Sequence, residues 1–439
     1  MKRNLSRRRG FAAAFVFASL IAAIIVLSAT AATKAHRDNV TITWLTFETA
    51  NLPAAYWDDI VTRFEAKNPG ITVKRIVSPT LDRDGYAKQL LASGQFPDVL
   101  QSITVQDFAS QGLLYAWTPA EQASFHILFP KSEELNGKQY TIPQNSQLIP
   151  LMYYNKADFA KVHAQPPKTW AQFLAVCAKL KKAGITPLLL GGSKDTWTSW
   201  IFMGGVFSVD VLGKDPNWIL KRKQNKVHFT DPLVQHAFNK WAALAKAGYF
   251  NKNALSLDYP GMQQAFLDGK AAMYPMGSWA ASKTAVGAST FGTGVFRVPT
   301  DDGAAVQAVI TGGGIYVSAK SAHLDAAKKL AQFWSLDPKA NATLATNDAG
   351  LIAVQGFKQP TGLTPVFYQT AALYNQKSTK KTPVKTVDVM FFNAGDRGSL
   401  AGMDGFYATA AQNILLGKSV TSQLKFLDQQ WNKAAAAGH

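Results

Sequence analysis

Short runs of β-forming residues alternate with amphipathic helices along most of this chain, and this alternation is the feature that most limits its fold. Residues 40–44 have period-two alternation and predict a strand. A helix follows and ends at Asn68-Pro69-Gly70, and residues 71–73 predict a second strand. Residues 97–100 predict a third strand. Such alternation indicates an α/β fold with a mainly parallel sheet.

The middle of the chain repeats the pattern. Residues 150–154 and 271–274 predict strands, and residues 311–318 predict a strand with a glycine-rich entry. Thr169 is placed to cap a helix over 169–183, and Asp231 is placed to cap another. The last ninety residues have mostly helical patterns.

The N-terminus has the pattern of an export signal. Residues 2–9 are basic, residues 11–29 carry no charge, and small residues follow with two candidate cleavage triplets, Ala29-Thr30-Ala31 and Thr33-Lys34-Ala35. We therefore predict that residues 1–35 are an export signal, or a membrane anchor if they are never cleaved, because the apolar stretch is long enough to span a bilayer. The predicted location is periplasmic or extracellular.

Composition narrows the function classes. The net charge is +18, of which five positive charges lie in residues 2–9, and the other Lys and Arg are scattered. Such a surplus suits anionic lipid or wall polymer as well as nucleic acid, and we predict no nucleic-acid partner.

Cys177 is the only cysteine, which excludes an internal disulfide and any metal site built on two cysteines. Its helical spacing predicts a core position.

The order of segments resembles the family 1 extracellular solute-binding proteins. The resemblance covers nearly the whole mature chain and depends on the order and spacing of its segments. They include Phe96-Pro97-Asp98-Val99, Met152-Tyr153-Tyr154-Asn155-Lys156, the stretch Ala265-Phe266-Leu267-Asp268-Gly269-Lys270-Ala271-Ala272-Met273, Gly277-Ser278-Trp279 and Gly312-Gly313-Gly314-Ile315.

This resemblance implies a two-lobed periplasmic-binding-protein fold with a hinge and an interlobe cleft. We expect residues 39–146 with 312–349 to form the first α/β lobe, and residues 149–309 with 351–439 to form the second. The chain would cross between lobes near 145–149, 309–313 and 350. The implied function is to capture a carbohydrate and deliver it to the membrane subunits of an ABC importer, as a monomer without a cofactor.

A sugar is bound by flat aromatic surfaces and by polar groups around them. The residue that matches Trp279 stacks on sugar in maltodextrin-binding proteins, and Trp197 and Trp200 lie in a polar turn that enters a helix, where one would face the cleft. The other candidates follow predicted strands, lie at crossings, or belong to the loop near residue 400. They are Phe47, Glu48, Gln101, Asn145, Gly313, Gly314, Arg397 and Asp404.

Other functions fit this sequence less well than a receptor does. A glycoside hydrolase needs two facing carboxylates, but no acid lies in a recognisable motif and the barrel pattern is absent. No metal spacing and no nucleophile elbow occur, so we predict a binding protein without catalysis or metal. A polyol, a glycerol phosphodiester or another non-sugar solute is an alternative ligand for the same fold. A surface adhesion or scaffold protein is an alternative function.

Overall fold

The structure is a computed structural model, and it describes residues 39–128, 134–311, 314–389 and 395–437. The predicted leader and Gly313 lie outside the described residues. None of the helices in these four ranges has the length and apolar character needed to cross a bilayer.

The described residues contain strands and helices in mixed order. The strands are β1 Val40–Thr46, β2 Ile71–Val77, β3 Val99–Gln101, β4 Asn145–Leu148, β5 Leu151–Asn155, β6 Met273–Met276, β7 Thr293–Arg297, β8 Ala305–Thr311, β9 Ile315–Val317, β10 Leu351–Ile352 and β11 Val384–Asp388. The helices are α1 Ala54–Lys67, α2 Arg83–Ala92, α3 Val105–Ala109, α4 Pro119–Ser124, α5 Lys156–Lys161, α6 Trp170–Lys182, α7 Trp197–Phe207, α8 Trp218–Lys223, α9 Pro232–Lys246, α10 Tyr259–Leu267, α11 Leu324–Leu336, α12 Pro338–Asp348, α13 Pro365–Tyr374, α14 Asp404–Leu415 and α15 Val420–Ala436.

The first sheet has the order β2-β1-β3-β9. β1 is parallel to β2 and β3, as the alternation predicts, while β9 is antiparallel to β3. Trp57, Ile60 and Phe64 line the buried side of α1, where they join Trp44 of β1 in one apolar cluster. We call the part built on this sheet the first lobe.

The second sheet, β6-β5-β7, corrects the prediction of a mainly parallel arrangement. β5 is antiparallel to both of its neighbours. In the described part of this lobe, isolated parallel bridges join Leu188 to Phe250 and Met273, and Thr169 to Thr300. A single bridge involves too few residues to produce the period-two pattern of a strand, so the sequence periodicity does not predict it. We call the part built on this sheet, with its large apolar cluster between Leu148 and Trp431, the second lobe.

A third sheet, β10-β4-β8-β11, joins the lobes. β4 pairs with both β8 and β10, and these strands occupy the three positions predicted for chain crossings. The crossings therefore lie side by side, which is the arrangement of a hinge. The outer bounds of the lobes stay predictions.

One local prediction was wrong. Asp231 precedes α9 but does not cap it, since its carboxylate accepts a hydrogen bond from the His228 N–H, 2.8 Å away, outside the helix. The strand predicted over 311–318 is confirmed as β9, Ile315–Val317, which begins after the glycines. Thr169 also acts as predicted, since it caps α6 through a capping box with Gln172.

A buried ion pair fixes α9 inside the second lobe. Lys240 Nζ lies 2.7 Å from Asp210 and 2.7 Å from Asp301, and His236 contacts Asp301 at 2.9 Å. These acids and the histidine are close enough together to hold a metal ion. The lysine ammonium, however, already bonds both carboxylates, so the group is a structural network around Lys240.

We expect Lys240→Met to destabilise the protein by about 3 kcal/mol, because Asp210 would be left buried without its partner. Urea unfolding measures this free energy. Lys246→Met, an exposed change on the same helix, should alter it by less than about 0.5 kcal/mol. The double variant Asp210→Asn/Lys240→Met should regain part of the loss, and a double variant no more stable than Lys240→Met would contradict the explanation.

Candidate functional site

Three aromatic side chains of the second lobe form a cluster that is partly open to solvent. The Trp197 ring centroid lies 5.2 Å from that of Tyr259 and 6.1 Å from that of Trp279. The Trp279 indole N–H donates to the Tyr259 hydroxyl over 3.0 Å. Trp197 and Trp279 are half-buried, while Tyr259 is buried. Partly exposed Trp faces with a buried tyrosine behind them are suited to stack on a flat, apolar ligand surface.

Each ring is held at the end of an element. Trp197 and Tyr259 are the first residues of α7 and α10, and Trp279 lies in a 3-10 turn that follows β6. The Asp195 carboxylate accepts a hydrogen bond from the Tyr259 N–H over 2.8 Å, which fixes the two helix starts together. Gly277 allows the Trp279 ring to fold back on the chain, since a Cβ there would meet the ring at 1.9 Å.

Asn51 of the first lobe bonds directly to this region. Its amide N–H₂ donates to the Trp279 carbonyl at 3.2 Å and to Asp348 at 2.9 Å. Its amide oxygen accepts from the Ser282 and Thr284 hydroxyls, at 2.9 and 2.6 Å. The cluster therefore lies where the lobes meet, and one buried amide links them.

Asp348, the last residue of α12, is the titratable group of this link. Burial raises its pKa to about 7, and the hydrogen bond from Asn51 opposes that shift. Burial chiefly, with the Asp348 charge second, also raises the pKa of Tyr259. Asn51 bonds to both Asp348 and the Trp279 carbonyl, which places this first-lobe carboxylate beside the aromatic cluster.

The first lobe contributes the strand ends of its sheet. The Arg83 guanidinium lies 4.5 Å from the Phe47 ring centroid, and its Nε donates to the Ser102 carbonyl over 2.7 Å. Ser102 has a φ of 54° and donates its N–H to the Gly314 carbonyl over 2.7 Å. A non-glycine residue with positive φ is uncommon and is often found at binding sites.

Arg83 faces the second lobe. Burial lowers its pKa, and the carboxylates of Asp84, Asp82 and the second-lobe residue Asp195 oppose that shift. The predicted candidates Phe47, Gln101 and Gly314 thus lie around a cation that the sequence analysis missed, with Gln101 buried at the end of β3.

Asp404, at the start of α14, also lies at the boundary between lobes. Its pKa is raised to about 7, first by loss of hydration and then by the negative charges of Asp84 and Asp107 on the first lobe, while Lys88 lowers it. The Asp404 side chain is nevertheless exposed to solvent, as expected at the wall of a cleft.

The structure separates the remaining candidates from this cluster. Trp200 is 2% exposed and packs in the core near Tyr407, because it lies one turn inside α7. Arg397 is bonded to Asp388 of its own lobe at 2.6 Å, and Glu48 is exposed and paired with Arg75. Asn145 is buried in the hinge sheet, and its amide oxygen accepts no hydrogen bond from the described residues.

A second set of hydrogen bonds joins the lobes at the loop that contains Asp396. The Asp396 carboxylate accepts from the Asn136 N–H at 2.9 Å, and the Asp396 N–H donates to the Glu134 carbonyl at 2.7 Å. The same loop accepts a long hydrogen bond from Gln106 at the Ser399 carbonyl. Hydrogen bonds thus connect the two lobes at two places, at Asn51 and at Asp396.

Asn51, Arg83, Asp195 and Asp348 were not among the residues predicted from the sequence. None of them lies in a motif. The available signal was position: Asn51 lies in the loop after the first strand, as Phe47 does, and Asp195 lies in the polar turn before Trp197.

Comparisons with known proteins agree with this architecture. Residues 49–342 match the family described as bacterial extracellular solute-binding protein. A multiple sugar-binding protein of Streptococcus mutans is 27% identical over 338 residues, covering 75% of this chain and 78% of that protein. An sn-glycerol-3-phosphate-binding periplasmic protein of Brucella abortus is 28% identical over 183 residues, 40% of each chain.

Solved structures share the fold. A chitin oligosaccharide binding protein superposes with a TM-score of 0.77 at 23% identity, over 91% of this chain and 100% of that one. A raffinose complex of the solute-binding protein RafE superposes with a TM-score of 0.71 at 21% identity, over 90% of this chain and 100% of that one. The two-lobed fold is therefore confirmed.

The raised pKa of Asp348 predicts a pH-dependent contribution to stability. The folded protein holds this proton more tightly than the unfolded chain does, so the contribution is present at low pH and is lost as pH rises through about 7. Asp348→Asn stays neutral, and we expect it to raise the melting temperature relative to the natural protein more at pH 8 than at pH 5. Asp325→Asn, an exposed change in the same lobe, should show no such difference. Equal shifts at both pH values would refute this assignment.

Proposed function

Because the chain belongs to the family of bacterial extracellular solute-binding proteins, we propose that it is an exported receptor that binds a neutral carbohydrate between its lobes and delivers it to an ABC importer. The observation that carries the proposal is the cluster of Trp197, Tyr259 and Trp279 at the lobe boundary. Stacking on these rings would bind the apolar face of a sugar, and binding rather than catalysis is the function of this family.

The polar groups around the rings can form hydrogen bonds with the hydroxyls at the edge of a sugar. Asp348 and Asp195 can accept hydrogen bonds from a ligand, and Arg83 can donate them. At the hinge, the buried amide groups of Gln144 and Asn145 retain unused hydrogen-bonding atoms among the described residues. Buried amides normally find partners, so ligand hydroxyls reaching the hinge would be expected to bond there.

The charges at the boundary favour a neutral ligand over an anionic one. Four carboxylates face this region, those of Asp84, Asp195, Asp348 and Asp404. The cations close to them are Arg83 and Lys88, and Lys88 is already paired with Asp107 at 2.5 Å. Although Asp348 and Asp404 are only partly ionised near pH 7, a phosphate would still meet more negative charge than Arg83 offsets, which weighs against the glycerol phosphodiester alternative.

Stacking predicts the effect of removing a ring. Isothermal titration calorimetry of the purified protein, with neutral mono- and oligosaccharides, polyols and sugar phosphates, identifies the ligand class. For the ligand found, Trp279→Ala should weaken binding at least about tenfold, or about 1.4 kcal/mol. Trp279→Phe should lose less, because it keeps an apolar face but not the N–H bonded to Tyr259.

Tyr368→Ala is the matched control, because that ring is 49% exposed and contacts Phe367 rather than a ring of the cluster. It should leave the affinity unchanged. Binding of sugar phosphates or glycerol phosphate but not neutral sugars would replace the carbohydrate with an anionic solute. A neutral sugar bound equally well by Trp279→Ala would keep the receptor function and overturn the assigned site.

A further inference from the structure

The charge of this protein is divided unevenly between its lobes. Over the ranges predicted for the first lobe, 39–146 and 312–349, 12 basic residues face 14 acidic ones, a net charge of −2. Over 149–309 and 351–439, predicted for the second lobe, 27 basic residues face 13 acidic ones, a net charge of +14. Of those 27, 24 are lysines. The basic surplus of the mature chain therefore belongs to the second lobe.

Six of these lysines lie along one edge of the second lobe, which we call the lysine rim. They are Lys156, Lys179, Lys181, Lys182, Lys246 and Lys270, and all six are exposed.

Backbone and side-chain hydrogen bonds place the six together. The Asn155 N–H donates to the Ala272 carbonyl over 2.9 Å, which joins the start of α5 to the segment after Lys270. The Ala272 N–H donates in turn to the Thr186 carbonyl over 2.9 Å, just beyond the end of α6. Lys181 Nζ donates to the Ala247 carbonyl over 2.6 Å, which joins the end of α6 to the end of α9. The ends of three elements and the start of a fourth thus form one continuous edge.

The acids next to the rim do not neutralise it. Asp158 is buried and bonded to Asn155 and to a seventh lysine, Lys161, which adds its own positive charge to this edge. Asp268 accepts a hydrogen bond from Gln264 over 2.8 Å and is exposed. Even with both acids counted, this edge has a clear excess of positive charge.

Helix stability does not account for the rim. A lysine in the last turn of a helix is favoured by the helix dipole, and this applies to Lys179, Lys181, Lys182 and Lys246. Lys156, however, is the first residue of α5, where the dipole disfavours a cation, and Lys270 lies in a turn outside any helix. The feature that all six share is the surface that they form.

We propose that the lysine rim holds the protein electrostatically against an anionic phospholipid surface. Specific recognition of a phosphate favours arginine, whose planar group bonds two oxygens at once, whereas lysine acts as a point charge. An edge built of lysines therefore suits attraction to many headgroups better than a site for one phosphate. A basic surface gains affinity for anionic lipid with each lysine near the membrane.

The rim and the aromatic cluster lie at opposite ends of the same strand. β6 begins just after Lys270 and is followed by Trp279, so its four residues, about 13 Å, separate the two sites. Docking at the rim therefore leaves the boundary between the lobes open to a solute.

The test is co-sedimentation of the full-length protein with vesicles of phosphatidylcholine alone and with 30% phosphatidylglycerol. The rim variant replaces Lys156, Lys179, Lys182, Lys246 and Lys270 with Gln, and it keeps Lys181 because that side chain bonds to Ala247. The control variant removes the same charge elsewhere in the second lobe, by Gln at the exposed residues Lys377, Lys380, Lys381, Lys418 and Lys433. The leader is the same in all three proteins, so its own contribution cancels.

We expect the natural protein to prefer the anionic vesicles, the rim variant to lose at least about tenfold of that preference, and the control variant to keep it within about twofold. Added salt should weaken the binding, since it screens exposed charges. Thermal melts verify that each variant is folded.

Three outcomes would overturn the proposal. Equal losses in both variants would mean that binding follows total charge, and no loss in the rim variant would mean that this edge is not used. Binding of a soluble phosphodiester polymer through the rim, without any preference for anionic vesicles, would assign the surface to a wall polymer instead.

Discussion

The pairing of β4 with β8 and β10 is the constraint on which the rest of the structure depends. Both lobes contain segments that are distant in sequence, so the chain must pass between them more than once. Hydrogen bonding of the crossings to one another keeps the lobes at a defined distance, with the end of β1 on one side of the boundary and the end of β6 on the other. Because few residues span this sheet, small changes in their backbone angles are enough to open or close the boundary.

The two sides of that boundary differ in chemistry. The second lobe supplies aromatic rings, while the first supplies an amide, a carboxylate and the guanidinium of Arg83. Asn51 connects them, and each of its polar atoms has a partner on the second lobe or on Asp348. A buried amide with all of its bonds satisfied stabilises this arrangement, but its bonds to Trp279, Ser282 and Thr284 must break or move if the lobes separate. The same residue thus favours the close arrangement and couples it to the loop that carries Trp279.

The charges of the second lobe are separated along its strands. Asp195 and Asp404 lie on the side that faces the first lobe, and lysines gather at the opposite edge. This separation lets one lobe provide a boundary suited to neutral solutes and an outer edge suited to an anionic surface. A uniformly basic lobe would attract anions into the cleft as well, where they would compete with an uncharged ligand.

Much of the local structure follows from the sequence by itself. Apolar periodicity predicts α1 and the parallel pairing of β1 with β2, and Thr169 caps its helix as expected, since these features depend on residues close together in the chain. The position of Trp279 after a glycine and a strand also marked it as a candidate. Only the tertiary structure decided that Trp197 joins Trp279 while Trp200 enters the core, that β5 is antiparallel to both neighbours, and that Asn51, Arg83 and Asp348 approach the second lobe. Those outcomes depend on contacts between residues far apart in sequence, and no local period or motif encodes such contacts.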